Sequence, residues 1–296
     1  MMFDLRRRVC YSPCYRPNDF GQQLEPSQVA SEIVPSFERL VAEYKNTAEH
    51  NDFLYKRLTD SASADPTLYG HRSYVEQNKL GFGDPAFHAM WLGLMSSASR
   101  RFGTVSALEI GVFKGQVISL WAVIARQWRF DVRISAITPL AGTSMPKSKL
   151  IMWLRSHFDP KFRECLMNGN LYAEEHYLTI IKQLFQHFNA DFDAVKLHHG
   201  YSTDQHILKS LFDSKFHVIY VDGDHTFEGA LHDFKTFGPK VALGGWLVAD
   251  DAGISLPGSL FWKGHPAVSR AVEVLPELGF RNVLNVGHNR IFERVE

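Results

Sequence analysis

The chain has 296 residues, of which 45% are hydrophobic, and its 32 lysines and arginines balance its 32 aspartates and glutamates. This length fits one large domain or two modest ones, with a sizeable core in either case. The even charge gives no bulk attraction to nucleic acid or to anionic membranes, and no stretch approaches the ~18 uncharged apolar residues of a membrane span.

The cysteines and the first residues predict a reduced, cytoplasmic protein. Three cysteines are too few for a disulfide framework, and their number is odd. Cys10 and Cys14 have the spacing of an iron–sulfur loop, but no third cysteine follows nearby, so a cluster is disfavoured. Residues 1–8 are basic and lack the apolar core of a secretory signal.

The first eighty residues predict an arm followed by a helical cap. Residues 1–26 carry three prolines and little periodicity, which is typical of a loop. From Ser36, apolar residues recur at i, i+3, i+4 and i+7, which predicts a helix that breaks at residues 61–66. A second helix is predicted over residues 85–100. We place a boundary at residue 80 between this cap and one larger domain, and such a helical extension makes a homodimer plausible.

After Gly103 the pattern changes to alternating strands and helices. Strands are predicted at 105–110, 132–137, 194–197, 216–221 and 246–249, and helices at 117–128, 177–188, 208–212, 227–234 and 268–278. Residues 139–173 predict an irregular lid or insertion, and residues 280–295 predict a closing antiparallel hairpin around Gly287. The alternation predicts an α/β fold with a doubly wound, mostly parallel, Rossmann-like sheet over residues 81–296.

Two of the predicted strands run directly into acidic residues. The groups that follow the strands at 216–221 and 246–249 are Asp222, Asp224, His225, Asp250 and Asp251. Ligands of parallel sheets bind beyond the carboxyl ends of the strands, so these groups should meet at one edge. Carboxylates that converge repel each other unless a cation or protons neutralise them, and an oxygen-only set suits Mg²⁺. With a histidine as general base, this combination points to an enzyme.

Two of these residues also have a simpler interpretation. Asp224 stands just before a predicted helix and is equally well explained as its cap. His225 is one of fourteen histidines, and a surface position would account for it. The pair His198 and His199 ends another predicted strand, where packing is the favoured interpretation.

The turn after the first predicted strand is the second candidate site. Glu109 to Gly115 (Glu-Ile-Gly-Val-Phe-Lys-Gly) leads from a strand into a helix, where glycines let a ligand approach the backbone and the free N–H groups. It is not the dinucleotide fingerprint, and a purely structural turn explains the glycines equally well. Further residues that could line a pocket or close over a substrate are Phe261, Trp262, His265, Tyr69, Tyr74, Phe82 and His88.

At these residues the chain resembles the class I S-adenosylmethionine-dependent methyltransferases, and most closely the macrocin-type O-methyltransferases, over residues 80–296. The resemblance implies a cofactor site for S-adenosylmethionine at Glu109, Gly111, Phe113, Gly115, Thr138, Ser202 and Asp222. It also implies a Mg²⁺ site at Asp222, Asp250 and Asp251, with His225 as the proton acceptor. Thr138 stands where the family usually has an acidic residue that holds the ribose hydroxyls.

The resemblance implies methyl transfer to a hydroxyl of a small molecule, such as a sugar, vicinal diol or catechol, with no nucleic-acid or membrane partner. One alternative is a metal-dependent hydrolase that uses the same aspartates and histidine. The turn from Glu109 to Gly115 argues against it, as does the lack of a richer histidine cluster. The other alternative is a catalytically silent scaffold with this fold.

Overall fold

The computed structural model describes residues 36–141, 143–144, 146, 148–167, 171–172 and 175–296. The predicted arm, with Cys10 and Cys14, lies outside the described residues. Among the helices of the described segments, none has the length and apolar character needed to cross a membrane.

The centre of the molecule is a seven-stranded sheet. Its strands are β1 (Val105–Ile110), β2 (Val132–Thr138), β5 (Lys196–His199), β6 (Phe216–Val221), β7 (Val241–Ala249), β8 (Phe280–Val286) and β9 (Asn289–Arg294). Their order is β5-β2-β1-β6-β7-β9-β8, and the first five are parallel while β9 is antiparallel to both of its neighbours. The predicted doubly wound α/β sheet with a closing hairpin is therefore confirmed. The two-residue strands β3 (Thr143–Ser144) and β4 (Leu171–Tyr172) form a separate pair.

Helices cover the sheet. They are α1 (Phe37–Glu43), α2 (Ala48–Ala64), α3 (Pro66–Gln77), α4 (Pro85–Phe102), α5 (Gln116–Trp128), α6 (Lys149–Phe158), α7 (Pro160–Met167), α8 (Tyr177–His187), α9 (Gln205–Ser210), α10 (Phe227–Phe237) and α11 (Pro266–Ala271). Asp65 separates α2 from α3, because its carboxylate accepts the free N–H groups of Thr67 and Leu68 while Pro66 starts the new helix.

The amino-terminal helices pack on the sheet and share its core. Phe37 of α1 meets the ring of Trp246 in β7 edge-to-face at 5.6 Å. Asn51 of α2 donates to the carbonyl of Pro257 at 2.8 Å, and Asn285 of β8 donates to the hydroxyl of Tyr44 at 2.6 Å. These contacts join the helical cap to the carboxyl-terminal half of the chain.

Several element boundaries differ from the prediction. Residues 149–167 form α6 and α7, although the prolines had predicted an irregular segment; Pro160 occupies the first turn of α7, where proline is tolerated. The first predicted helix is two helices, and α2 continues through the predicted break as far as Ala64. Strand β5 begins two residues later than predicted, and β7 is longer because it includes Gly244 and Gly245. The last predicted helix is α11 followed by a 3₁₀ segment over Val272–Leu278.

The strand register brings the candidate residues to one edge. Ile110 of β1 pairs with Val221 of β6, and Val221 pairs with Ala249 of β7. The three strands therefore end at the same level. The backbone continues this ladder by one step, since Asp222 N–H donates to Ile110 at 2.9 Å and Asp250 N–H donates to Val221 at 3.0 Å.

Candidate active site

Two cavities lie side by side at the carboxyl edge of the sheet. The first, of about 250 Å³, is lined by residues 110–113, 137–141, 200–202, 223 and 224, with Cys165 and Tyr177. The second, of about 420 Å³, is lined by residues 80–84, 87, 109, 111, 113, 114, 116, 117, 220, 222, 225, 250, 251, 262, 265 and 288. Gly111 and Phe113 line both cavities, so the turn after β1 forms the wall between them.

Gly111 holds two strand ends in close approach. Its φ of 99° is a backbone conformation that favours glycine, and a Cβ atom there would stand 1.9 Å from the carbonyl oxygen of Asp222. Gly115 also has a positive φ, of 86°, but it is the N-cap of α5 and faces Ile181 rather than either cavity. The two glycines of this turn therefore have different surroundings.

Glu109 lines the second cavity, with its carboxylate directed to the start of α5. The residue is buried, and its carboxylate accepts the backbone N–H of Ile118 at 3.1 Å. Burial, together with the charge of Asp222, raises the pKa of Glu109 well above its usual range. This position separates Glu109 from the lining of the first cavity.

Thr138 lines the first cavity, and its hydroxyl is bound to backbone groups. It donates to the carbonyl of Val112 at 2.8 Å and accepts the N–H of Leu140 at 3.1 Å. The residue is 1% exposed. Its hydroxyl therefore joins the turns after β1 and β2. Ser202 lines the same cavity and hydrogen-bonds to the buried carboxyl of Asp233.

Six side chains gather in the second cavity, and we call them the acid–histidine cluster. Its members are Asp222, His225, Asp250, Asp251, His265 and His288. They come from four places in the chain, which are the ends of β6 and β7, the N-cap of α11, and the turn between β8 and β9. The predicted convergence of the carboxylates and His225 at one edge agrees with this geometry.

The shortest contacts of the cluster involve Asp251 and Asp250. His225 Nε2 lies 3.3 Å from Asp251 Oδ2 and 3.6 Å from Asp222 Oδ1. His265 Nε2 lies 3.6 Å from Asp251 Oδ2, and its ring stacks on His225 at 4.5 Å. His288 Nε2 lies 3.2 Å from Asp250 Oδ1 and 3.8 Å from Asp251 Oδ1.

The protonation equilibria of the cluster follow from burial and mutual charge. Burial and the charge of Asp250 raise the pKa of Asp222 well above its usual range and that of Asp251 to about 7. Burial also acts to raise the pKa of Asp250, but the effects of its neighbours, of which the charge of His288 is the largest, together outweigh burial and the pKa is lowered. The carboxylates thus strongly oppose one another's ionisation unless positive charge compensates them.

The other predicted pocket residues divide between the cavities and the core. Phe82, Trp262 and His265 line the second cavity. His88 is buried in α4, where it hydrogen-bonds to His71, and Phe261 is buried against Tyr55. Tyr69, Tyr74, His198 and His199 line neither cavity.

Asp224 is not the cap of α10. Thr226 holds that position, because its hydroxyl accepts the N–H of Gly229. The Asp224 carboxylate instead accepts the backbone N–H and the hydroxyl of Thr226 at 3.0 Å each, which fixes the turn after β6. Asp224 also lines the first cavity.

His288 was not predicted as a site residue, and the predicted lack of a richer histidine cluster is wrong. His288 follows Gly287 in a two-residue hairpin turn, and Gly287 was predicted as its centre. The pairing of Ala249 with Arg290 carries this turn past the end of β7. The carbonyl of His288 accepts the N–H of Ala252 at 3.0 Å, which holds the turn beside Asp250 and Asp251.

The donors of the cluster fit a divalent cation. Asp250, Asp251 and His288 offer ligand atoms within 4.8 Å of one another, and so do His225, Asp251 and His265. The first cavity fits an elongated ligand bound largely by backbone groups, because three of its lining residues are the glycines at 111, 200 and 223.

Comparisons with known proteins identify the domain. Residues 108–252 match a family model described as a methyltransferase domain. No curated protein sequence matches the chain.

Solved structures show the same fold at low identity. The O-methyltransferase NovP is 15% identical with a TM-score of 0.52, and the match covers 92% of this chain and all of NovP. The Podospora anserina methyltransferase PaMTH1, solved with bound SAH (S-adenosylhomocysteine), is 16% identical with a TM-score of 0.52, over 83% and 97% of the chains. An O-methyltransferase from Bacillus cereus in complex with SAH is 14% identical with a TM-score of 0.50, over 84% and 99%.

The sheet order, the family match and these structures define one class, the class I S-adenosylmethionine-dependent methyltransferases. The matched methyltransferase domain begins within β1 and ends just past β7. The class that the motifs predicted is confirmed, and the macrocin-type subgroup stays a prediction.

Proposed function

We propose that the protein transfers a methyl group from S-adenosylmethionine to a hydroxyl oxygen of a small molecule, with a divalent cation bound at the acceptor side. The observation that carries this proposal is the wall shared by the two cavities. A methyl donor in the first cavity would lie across Gly111 and Phe113 from an acceptor in the second. Such proximity removes much of the entropic cost of bringing two reactants together.

The cofactor would lie along the turns after β1, β2 and β5. Gly111, Phe113, Thr138 and Ser202 all line the first cavity, as this placement requires. Thr138 would act through its hydrogen bonds to Val112 and Leu140, which fix the two turns, rather than by gripping the ribose. The cofactor would therefore be held more by backbone and packing than by an acidic residue after β2.

His225 would be the general base. The acceptor oxygen attacks the methyl carbon, the carbon–sulfur bond breaks, S-adenosylhomocysteine leaves, and the hydroxyl proton passes to His225. A base so placed is worth about 10²–10⁴ in rate. A cation held by Asp222, Asp250 and Asp251 would supply positive charge that lowers the pKa of the acceptor hydroxyl. Two adjacent hydroxyls would suit such a site best, which favours a sugar, another vicinal diol or a catechol as acceptor.

The hydrolase alternative gains one observation from the structure. The cluster contains three histidines, which suit the activation of water better than one would. This alternative leaves the first cavity without a role and disagrees with the class of the domain. A silent scaffold would keep the fold, but the intact cluster would then have no purpose.

The first experiment is a calorimetric titration with S-adenosylhomocysteine, carried out with Mg²⁺ and again with a chelator. We expect micromolar binding under both conditions, because the cofactor cavity and the cluster are lined by different side chains. A second experiment incubates the protein with methyl-labelled S-adenosylmethionine and a panel of diols and catechols. Binding without any labelled product would favour the scaffold, and absence of binding would favour the hydrolase.

A further inference from the structure

The turn between β8 and β9 brings an imidazole to the carboxylates that follow β7. We infer that His288 Nε2 is a ligand of the metal ion, together with Asp250 and Asp251, and this inference rests on the function proposed above. A nitrogen ligand selects a transition-metal ion such as Mn²⁺, Co²⁺ or Zn²⁺ over Mg²⁺. The oxygen-only Mg²⁺ site predicted from the sequence would then be a mixed nitrogen–oxygen site.

The distances fit three ligands of one ion. Two atoms that each lie about 2.1 Å from a metal are about 3.0 Å apart at a right angle and about 3.4 Å apart at a tetrahedral angle. His288 Nε2 lies 3.2 Å from Asp250 Oδ1 and 3.8 Å from Asp251 Oδ1. Small side-chain adjustments would bring all three atoms to a common centre.

Burial also favours a metal ligand at this place. His288 is 7% exposed and Asp251 is 5% exposed. Asp250 Oδ1 is buried and makes no hydrogen bond of normal geometry within the described residues, although it faces His288. A buried carboxylate oxygen is costly without a strong partner, and a bound cation provides one.

Asp251 lies between His288 on one side and the imidazoles of His225 and His265 on the other. Its Oδ1 atom faces His288, whereas its Oδ2 atom faces His225 at 3.3 Å and His265 at 3.6 Å. An ion between Asp250, Asp251 and His288 would therefore leave His225 on the other side of the carboxylate. His225 can then be the base while His288 is the ligand.

An imidazole ligand gives the site a preference between metal ions. Mg²⁺ takes oxygen ligands and keeps several waters, whereas imidazole suits the later first-row ions. The ring centroids of Trp262 and His288 lie 5.3 Å apart in an edge-to-face arrangement, which helps to hold the imidazole in the cavity. The hairpin thus contributes a ligand that the strand-end motifs do not contain.

Metal binding to the full-length, metal-free protein tests the inference. We would titrate Mn²⁺ and Mg²⁺ separately by calorimetry and record electron spin-echo modulation of the Mn²⁺ complex. The wild type should bind Mn²⁺ at least about a hundredfold more tightly than Mg²⁺ and show the ¹⁴N modulation of a directly bound imidazole. His288→Ala should lose this modulation and at least about tenfold in Mn²⁺ affinity, with a much smaller change for Mg²⁺.

His265→Ala is the matched control, because it removes an imidazole that faces the other oxygen of Asp251. It should keep the ¹⁴N modulation. A wild type without modulation, or a signal lost in the His265 variant and kept in the His288 variant, would overturn the inference. Unchanged Mn²⁺ affinity in a less stable His288→Ala would also overturn it, because His288 would then be only an ion-pair partner.

The two proposals fail separately. Methyl transfer with Mg²⁺ and no ¹⁴N modulation would leave the proposed function standing and reject the nitrogen ligand. Clear modulation without methyl transfer from labelled S-adenosylmethionine would do the reverse.

Discussion

The two cavities share one sheet edge and differ in what lines them. The first is lined largely by turns and apolar side chains, and three of its residues are glycines. The second contains four aspartates, three histidines and Glu109 within one space. Under the proposed function, the fold itself would provide a place for the cofactor, whereas a few strand ends and one hairpin turn would determine the chemistry. Substitutions in the first cavity and substitutions in the second should therefore have separable effects.

The largest effect is expected from His225→Ala. Loss of the proposed base should lower kcat about 10²–10⁴-fold, while S-adenosylhomocysteine affinity stays unchanged because His225 lines the second cavity and not the first. Steady-state kinetics and calorimetry measure the two quantities. His50→Ala removes an imidazole of α2 outside both cavities and should leave both unchanged. Full activity of the His225 variant would remove it from the mechanism.

Gly111→Ala should damage both cavities at once. The added Cβ would meet the Asp222 carbonyl at 1.9 Å in a backbone conformation with φ of 99°. We expect a loss of about 3–5 kcal/mol in the free energy of unfolding, with weaker cofactor binding and lower turnover. Gly70→Ala is the control, because nothing lies within 4 Å of its Cβ position in α3, and it should stabilise by about 0.5–1 kcal/mol. Urea unfolding of both variants measures the difference in the free energy of unfolding. If the two variants were equally stable, the wall between the cavities would not be rigid.

A pH effect should arise beneath the first cavity, at Asp233. Burial raises the pKa of this carboxyl from 3.8 to about 7. The folded state holds the proton of Asp233 more tightly than the unfolded state does, so protonation of this carboxyl stabilises the fold. This contribution is fully present below pH 3.8 and is lost progressively as the pH rises to about 7. The contribution amounts to up to about 4 kcal/mol. In Asp233→Asn, the free energy of unfolding should depend less on pH over this window.

Denaturant unfolding at pH 4.5, 6 and 7.5 would measure the difference between the wild type and Asp233→Asn, since both proteins share all other titrating groups. Asp213→Asn changes an exposed carboxylate and should keep the wild-type slope. Identical slopes in all three proteins would show that Asp233 is already charged in the folded state at low pH.

The smallest effect is expected at Thr138. Thr138→Val leaves the carbonyl of Val112 and the N–H of Leu140 without their buried partner, at a cost of about 1–3 kcal/mol. Thr138→Ser keeps the hydroxyl and should lose less. Thermal unfolding would rank the three proteins. If the serine and valine variants were equally destabilised, the methyl group rather than the hydroxyl would matter at this position.

The sheet and its acidic edge could be predicted from the sequence because both depend on local patterns. Strands β1 and β6 are short apolar runs buried on both faces, and such runs are recognisable without tertiary information. Once their parallel order is assumed, Asp222 and Asp250 must lie at the same edge. The fold and the carboxylate half of the cluster follow from these two facts.

The histidine half was harder to predict, since it depends on a pairing that is not local. His288 reaches the site because β9 inserts between β7 and β8, and a hairpin placed with β8 beside β7 would move its turn away. Helix α6 was missed for another reason. Its apolar residues Leu150, Trp153 and Leu154 have helical spacing, but the prolines that flank the helix outweighed that signal.

The insertion of β9 has a consequence for how the chain folds on the ribosome. Asp250 is synthesised well before His288, so the nascent chain presents this carboxylate before the imidazole that faces it exists. Until β9 has been made, β7 is also an unpaired edge strand that is open to association with other chains. The hairpin of β8 and β9 therefore covers the edge of β7 and brings His288 to Asp250 in the same step.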